Sequence, residues 1–415
     1  MDTPATVADT QEYANFFWWR VRQSIVYWHD YVTEQAANPT VLNEVNDQIL
    51  RSILFGLQQT DAWPTVVKLI QAFAVYMERT GRWEAWQTIL EQALTNAHQR
   101  HDLASIVKLS TLQARLAQRQ SRFKEAIAAY RRTIRLARHI GDGFNEARSC
   151  SNLGYFYVDY GYWNRAEVLC CHALAIFERL DSNHGQAHTE NHLGALYTRQ
   201  RKWELAQQYF ERACERWEKM GDDHGLMYGF MNFGTLYNDM ECADKALTYS
   251  KKALQQAKIT KEELVIGTIT MNIGVAYRIK NEPAKAEAYA WQAEAIFRRF
   301  SNTLGLALVH DNLGLVCLDQ GKWEEAQQHL STALVSWRSH GNKLGECRAL
   351  GYIVELELAK GDRQKAAVQL KELEDYLLQK EDKTLSQFLE FQLEKYRRIL
   401  TEYISQTATS SVTKF

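Results

Sequence analysis

A ladder of glycines constrains this chain more than any other feature. Gly154, Gly194, Gly234, Gly274 and Gly314 stand 40 residues apart, and other positions keep the same step. One residue before each glycine comes Leu153, Leu193, Phe233, Ile273 or Leu313. Three residues after it comes Tyr157, Tyr197, Tyr237 or Tyr277, and then Cys317. Twelve after it stand Ala166, Ala206, Ala246, Ala286 and Ala326; nineteen after it stand Ala173, Ala213, Ala253, Ala293 and Ala333. Upstream the ruler falls on the small residues Ala74 and Ala114, and downstream on Val354. A step of this size held in register over several periods specifies a solenoid of stacked units.

Each unit reads as two helices. Apolar residues recur at helical spacing up to the tyrosine, a turn follows ("DYGYW", "RQRKW", "DQGKW"), and a second helix carries the two alanines. Small residues let the paired helices approach, and one hairpin alone cannot bury its apolar faces. Composition agrees. Hydrophobic residues are 46% and charged residues 24%, only 4 prolines occur, and helix formers dominate. A net charge of -1 argues against a general nucleic-acid or membrane-surface binder. No apolar run is long enough to span a bilayer. The seven cysteines include no CxxC pair, which reads as buried thiols in a reducing cytoplasm.

The order Leu-Gly, Tyr, Ala and a second Ala seven residues on resembles the tetratricopeptide repeat (TPR), over roughly residues 66–375. The resemblance implies an all-α, right-handed α-solenoid (superhelix) of about eight helix hairpins with helical caps. The usual period is about 34 residues. Here the extra residues fall between one repeat's second helix and the next repeat's first, which predicts longer helices joined by turns such as "GDDHG" and "SHGNKLG". The expected layout is an N-terminal helical cap over 1–65, an array over 66–380, a capping helix over 381–404 and a disordered tail over 405–415. The cap holds dense aromatics, Tyr13, Phe16, Phe17, Trp18, Trp19, Tyr27, Trp28 and Tyr31, which could instead form a docking surface. The capping helix places Leu385, Phe388, Leu389, Leu393, Tyr396, Leu400 and Tyr403 on one side. The stretch leading into the array also resembles the entry to the TPR sensor of bacterial NB-ARC-type signalling ATPases. No GxxxxGK[ST] is present to build their P-loop.

Two residues before each glycine stand Asn152, His192, Asn232, Asn272 and Asn312. Asparagine is a poor residue for a helix interior, so its return asks for a reason. In TPR proteins similar to kinesin light chains and bacterial peptide-pheromone receptors, an Asn at this place grips the backbone of a bound segment from the concave face. The alternative is an amide that bonds the adjacent helix and braces the repeat. Nearby on the same face lie Tyr155 and Asn238. Lys68, Arg79, Lys108, Arg115, Arg119 and Arg148 make the N-terminal part basic, Asp239, Asp311, Asp319 and Glu355 follow, and Arg199 and Arg278 interrupt the trend. Such a groove suits an acidic segment or a chain carboxylate, or carries ordinary solvated charge.

No catalytic constellation stands out, and no cofactor is called for. His184, His188 and His192 have helical spacing, but no Cys or carboxylate stands at a fitting place on that face, so no metal site is assigned. Cys170 and Cys171 read as packed thiols, and Trp83, Trp163, Trp203 and Trp323 share a repeat position, which marks packing. Arg131, Arg132, Arg135 and Arg138 read as a solvated helix face, with nucleic-acid binding as the alternative. The expected function is a non-catalytic, cytoplasmic adaptor or sensor subunit that binds a protein or peptide in its concave groove. The alternatives are a small-peptide, pheromone-type receptor regulating a signalling or transcription complex, and a regulatory subunit of an enzyme or defence complex.

Overall fold

The computed structural model describes residues 7–35, 39–378, 393–394 and 397–398. Among them the chain is all-α. The helices are α1 (Val7–Glu34), α2 (Pro39–Gly56), α3 (Trp63–Thr80), α4 (Trp83–Gln99), α5 (Leu103–Arg119), α6 (Phe123–His139), α7 (Gly143–Asp159), α8 (Trp163–Arg179) and α9 (Asn183–Arg199). They continue with α10 (Trp203–Met220), α11 (Asp223–Asp239), α12 (Ala243–Thr260), α13 (Glu263–Ile279), α14 (Pro283–Arg299), α15 (Thr303–Asp319), α16 (Trp323–Ser339), α17 (Lys343–Lys360) and α18 (Arg363–Leu378). None is long and apolar enough to cross a membrane. From α3 on the helices pair into hairpins, odd-numbered first and even-numbered second, as the glycine ladder required.

The described residues form two compact units, one within Met1–Ser149 plus Thr260–Glu262, the other within Cys150–Ile259 plus Glu263–Phe415. In the first, the β-branched side of α1 packs inward. Ile25, Ile49, Ile53, Val66, Ile70, Phe73 and Trp86 are fully buried in one core. Tyr13, Phe16, Phe17, Trp19 and Tyr27 point outward. In the second, both alanine ladders are buried, with Ala166, Ala206, Ala246 and Ala326, and Ala173, Ala213, Ala253, Ala293 and Ala333, at 0% exposure. That leaves room for the close approach the sequence demanded.

The junctions follow a ruler half as long as the repeat. Every twentieth residue from Gly81 to Gly361 has a positive φ, including the non-glycines His101, Ser121, Asp181, Arg201, Glu241, Lys261, Asn281 and Ser301. Each ends a helix in the left-handed conformation and turns the chain within two residues. At Gly221 the N–H of Asp222 donates to Trp217 O (2.9 Å) and that of Gly221 to Glu218 O (3.1 Å). The next helix starts at once on a capping side chain. Asp102, Ser182, Asp222, Asn302 and Asn342 each accept from the N–H three residues on.

The expected longer helices are present, but the expected turns are shorter than "GDDHG" and "SHGNKLG". Gly225 and Gly345 lie inside the first turns of α11 and α17. A Cβ on Gly225 would stand 2.3 Å from the Trp217 ring, and Gly185, Gly305 and Gly345 meet Phe177, Phe297 and Trp337 in the same way. Where the ring is absent the glycine is absent too, since Ala257 is matched by Val265. Ring plus glycine, or alanine plus a branched side chain, fills the same gap between successive repeats.

In the expected C-terminal capping helix, Leu393 is buried and Arg397 Nε donates to Glu374 Oε1 (2.7 Å). Leu385, Phe388, Leu389, Tyr396, Leu400, Tyr403 and the tail lie outside the described residues.

Candidate functional site

In the second unit the first helices stand side by side and present one common wall. Residues six and two before the ladder glycine, and one and five after it, fall on this face by helical geometry. On α7 these positions give Asn152, Tyr155 and Asp159; on α9, His188, His192 and Arg199; on α11, Tyr228, Asn232, Thr235 and Asp239. On α17 they give Arg348, Tyr352 and Glu355.

The amides do not all face a groove. Asn232 is 7% exposed and its Nδ2 donates to Asn191 Oδ1 on α9 (2.9 Å). Asn272 is 6% exposed and donates to Thr235 Oγ1 on α11 (2.9 Å). Asn238 donates to the backbone O of Asn272 (2.8 Å), and Asn312 to Leu308 O within its own helix (2.8 Å). For Asn232, Asn272 and Asn238 this corrects the expectation of amides held ready for a partner. A buried amide must find its bonds inside the protein, and the neighbouring first helix is the surface in reach. His192 takes the same bracing role, sharing a 2.9 Å hydrogen bond with Ser151 Oγ. Burial pulls its pKa down to about 4, against a hydrogen bond with the Ser151 backbone. Asn152 is half-buried and makes no hydrogen bond among the described residues.

Tyr155 stacks on the His192 ring, with centroids 4.5 Å apart. Burial pushes its phenol up, helped by the Asp159 charge. Asp159 makes no ion pair or hydrogen bond among the described residues. Solvent reaches it, yet the surrounding protein displaces enough water to push its carboxyl up, with Arg199 and Arg348 opposing. Asp239 is raised by the same cause and opposed by the same arginines. Arg348 on α17 therefore opposes the rise of carboxylates on both α7 and α11.

Most other charges are matched one repeat away. Arg199 pairs with Asp239 and Arg278 with Asp319, both at 3.2 Å. Asp311, 3% exposed, accepts from Arg348 (3.0 Å) and from the Trp337 indole (3.0 Å), so it is a buried partner and not a groove-lining acid. Burial still pushes Asp311 up, and pushes Tyr352 up to about 12.

In the first unit, Arg115 (2.6 Å) and Arg119 (3.3 Å) both converge on Glu78, which is 2% exposed. The expectation of a basic stretch open to an acidic segment is corrected for these two, because their charge is spent on a buried carboxylate. Arg148 has no ion pair among the described residues, and burial, reinforced by Arg115, pulls it down to about 10. Lys108 likewise forms no ion pair there.

Sequence reasoning missed Glu78, Asp159, Tyr228 and Arg348. The repeat ruler held the signal for Asp159, Tyr228 and Arg348, which sit at wall positions counted from the ladder glycine or its equivalent, whereas Glu78 stands four residues after Ala74 and off that face.

A family profile described as tetratricopeptide repeat matches residues 145–219. Within those residues the repeats are tetratricopeptide repeats. The Streptomyces griseus regulatory protein AfsR is 34% identical over 89 residues, which is 21% of this chain and 9% of that regulator. The chain therefore matches only a small part of that relative's length. Among solved structures, the Rap conjugation gene regulator of plasmid pLS20 in complex with the Phr* peptide is 13% identical, with a TM-score of 0.58 over 92% of this chain and 98% of that one. A Rap protein complexed with competence and sporulation factor is 14% identical, with a TM-score of 0.55 over 81% of this chain and 98% of that one. Likeness at this level of identity shows a shared TPR-type helical fold.

Proposed function

We propose that this chain is a non-catalytic adaptor or sensor subunit that binds an extended segment of a protein or peptide along the first-helix wall of its second unit. One observation carries the reading. Asp159 is a carboxylate without a direct partner among the described residues, set beside Tyr155 and the open amide of Asn152 on a wall where most other charges are matched. An unmatched acid in a partly desiccated setting favours a cation, so the segment should offer a Lys, an Arg or a free amino terminus there. Tyr155 and His192 supply a flat stacked surface for its apolar part, and Asn152 can bond its backbone. The complex of a Rap regulator with the Phr* peptide, whose fold this chain shares, supports the choice of ligand class. The same reading keeps residues 1–65 as a helical cap and the protein in the cytoplasm.

The test is selection from a random displayed-peptide library on the full chain, followed by anisotropy titration of the selected peptides. The expected result is enrichment of basic residues, with affinity lowered about tenfold or more by Asp159→Asn and by Tyr155→Ala, given that charge-assisted bonds are worth about 1.5–3 kcal/mol. Equal affinity for both folded variants overturns the assignment. A small-peptide receptor is the second reading, and it predicts compaction in solution scattering on adding such a peptide.

A further inference from the structure

The sequence offered His184, His188 and His192 at helical spacing without a carboxylate to join them. The structure supplies one from the next repeat. His184 and His188 sit one turn apart at the start of α9, with ring centroids 4.5 Å apart. Asp222, in the turn between α10 and α11, brings its Oδ2 to 3.7 Å from His184 Nε2. One ligand atom from each of the three residues lies within 4.8 Å of the others. This corrects the expectation that no carboxylate stands at a fitting place.

We propose that His184, His188 and Asp222 form a binding site for a divalent transition metal of the zinc class. Imidazole and carboxylate are the donors this class takes, and a site with three protein ligands keeps a position open for water or an outside donor. Tetrahedral zinc with bonds of about 2.0–2.1 Å needs ligand atoms roughly 3.3 Å apart, so the group must close by up to about 1.5 Å. His184 can supply that movement, because its side chain is 63% exposed. The other two ligands are held. Asp222 Oδ1 accepts the Gly225 N–H (2.9 Å) as the helix cap, which leaves Oδ2 for the metal. His188 packs edge-on against the Trp217 ring (5.2 Å). The repeat does not require this grouping. One step on, the corresponding residues are His224, Tyr228 and Glu262. A bound ion would pin the first turn of α9 to the junction between α10 and α11.

The test is calorimetric titration of the full chain with zinc chloride, paired with the visible spectrum after adding cobalt(II). The expected result is one equivalent bound, a cobalt spectrum without thiolate charge transfer, and binding weakened about tenfold or more in each of two variants. His184→Ala removes an exposed side chain. Asp222→Asn removes the metal oxygen's charge and keeps a side chain that caps helices well. Both should therefore fold, as circular dichroism will check. No binding to the unaltered chain, unchanged affinity in the double variant, or a thiolate band placing the ion on a cysteine would each overturn the proposal. None of these results depends on whether the peptide reading holds.

Discussion

Trp217 and Gly225 show how a single side chain is dictated by another eight positions away. The ring occupies the place a Cβ would need, so Gly225→Ala should lower stability by about 1–3 kcal/mol, measured by chemical denaturation. Trp217→Ala combined with Gly225→Val copies the Ala257 and Val265 pairing and should regain part of what Trp217→Ala loses. Absence of any rescue would deny the shared gap. His192 answers to pH. Burial holds its folded pKa near 4, below the ordinary 6.5, so the neutral ring is favoured by folding. That contribution is complete above pH 6.5 and is lost as pH falls towards 4. Asp159 and Asp239 act in the opposite direction, since their raised carboxyls are relieved by acid. His192→Asn, which installs the amide of the neighbouring repeats, should therefore flatten the fall in stability between these limits. A slope identical to that of the unaltered chain would contradict the burial argument.

At the scale of helices, ties run sideways between first helices one repeat apart. Asn232 to Asn191, Asn272 to Thr235, Arg199 to Asp239 and Arg115 to Glu78 are all of this kind. The ladder was legible because every repeat spends the same residue type at the same place. The sideways ties were not, because helical spacing tells which face a residue occupies and not how closely the next helix approaches. Asn232 and Asn272 read as ligands for that reason, and Glu78 went unnoticed as the owner of two arginines. Charge reversal at Arg115 and Arg119 therefore has a sharper expected outcome than weaker partner binding. It places two new carboxylates against a buried one, and should cost about 3–5 kcal/mol or more in thermal or chemical unfolding. A variant of unchanged stability would mean that Glu78 is not held by this pair.

At the scale of the molecule, helix hairpins in tetratricopeptide order follow from the sequence with little loss, since stacking needs only a constant period and matched faces. What period alone could not deliver is any site assembled from unlike repeats: Arg348 acting on Asp159, or Asp222 beside His184. The left-handed residue at every helix end has a consequence of another kind. Like elbows recur at the full period, so excising one period joins equivalent cut ends and leaves a shorter stack. Excising half a period splices a second helix to another second helix, and the chain loses its phase. Natural relatives should accordingly differ in size by whole modules.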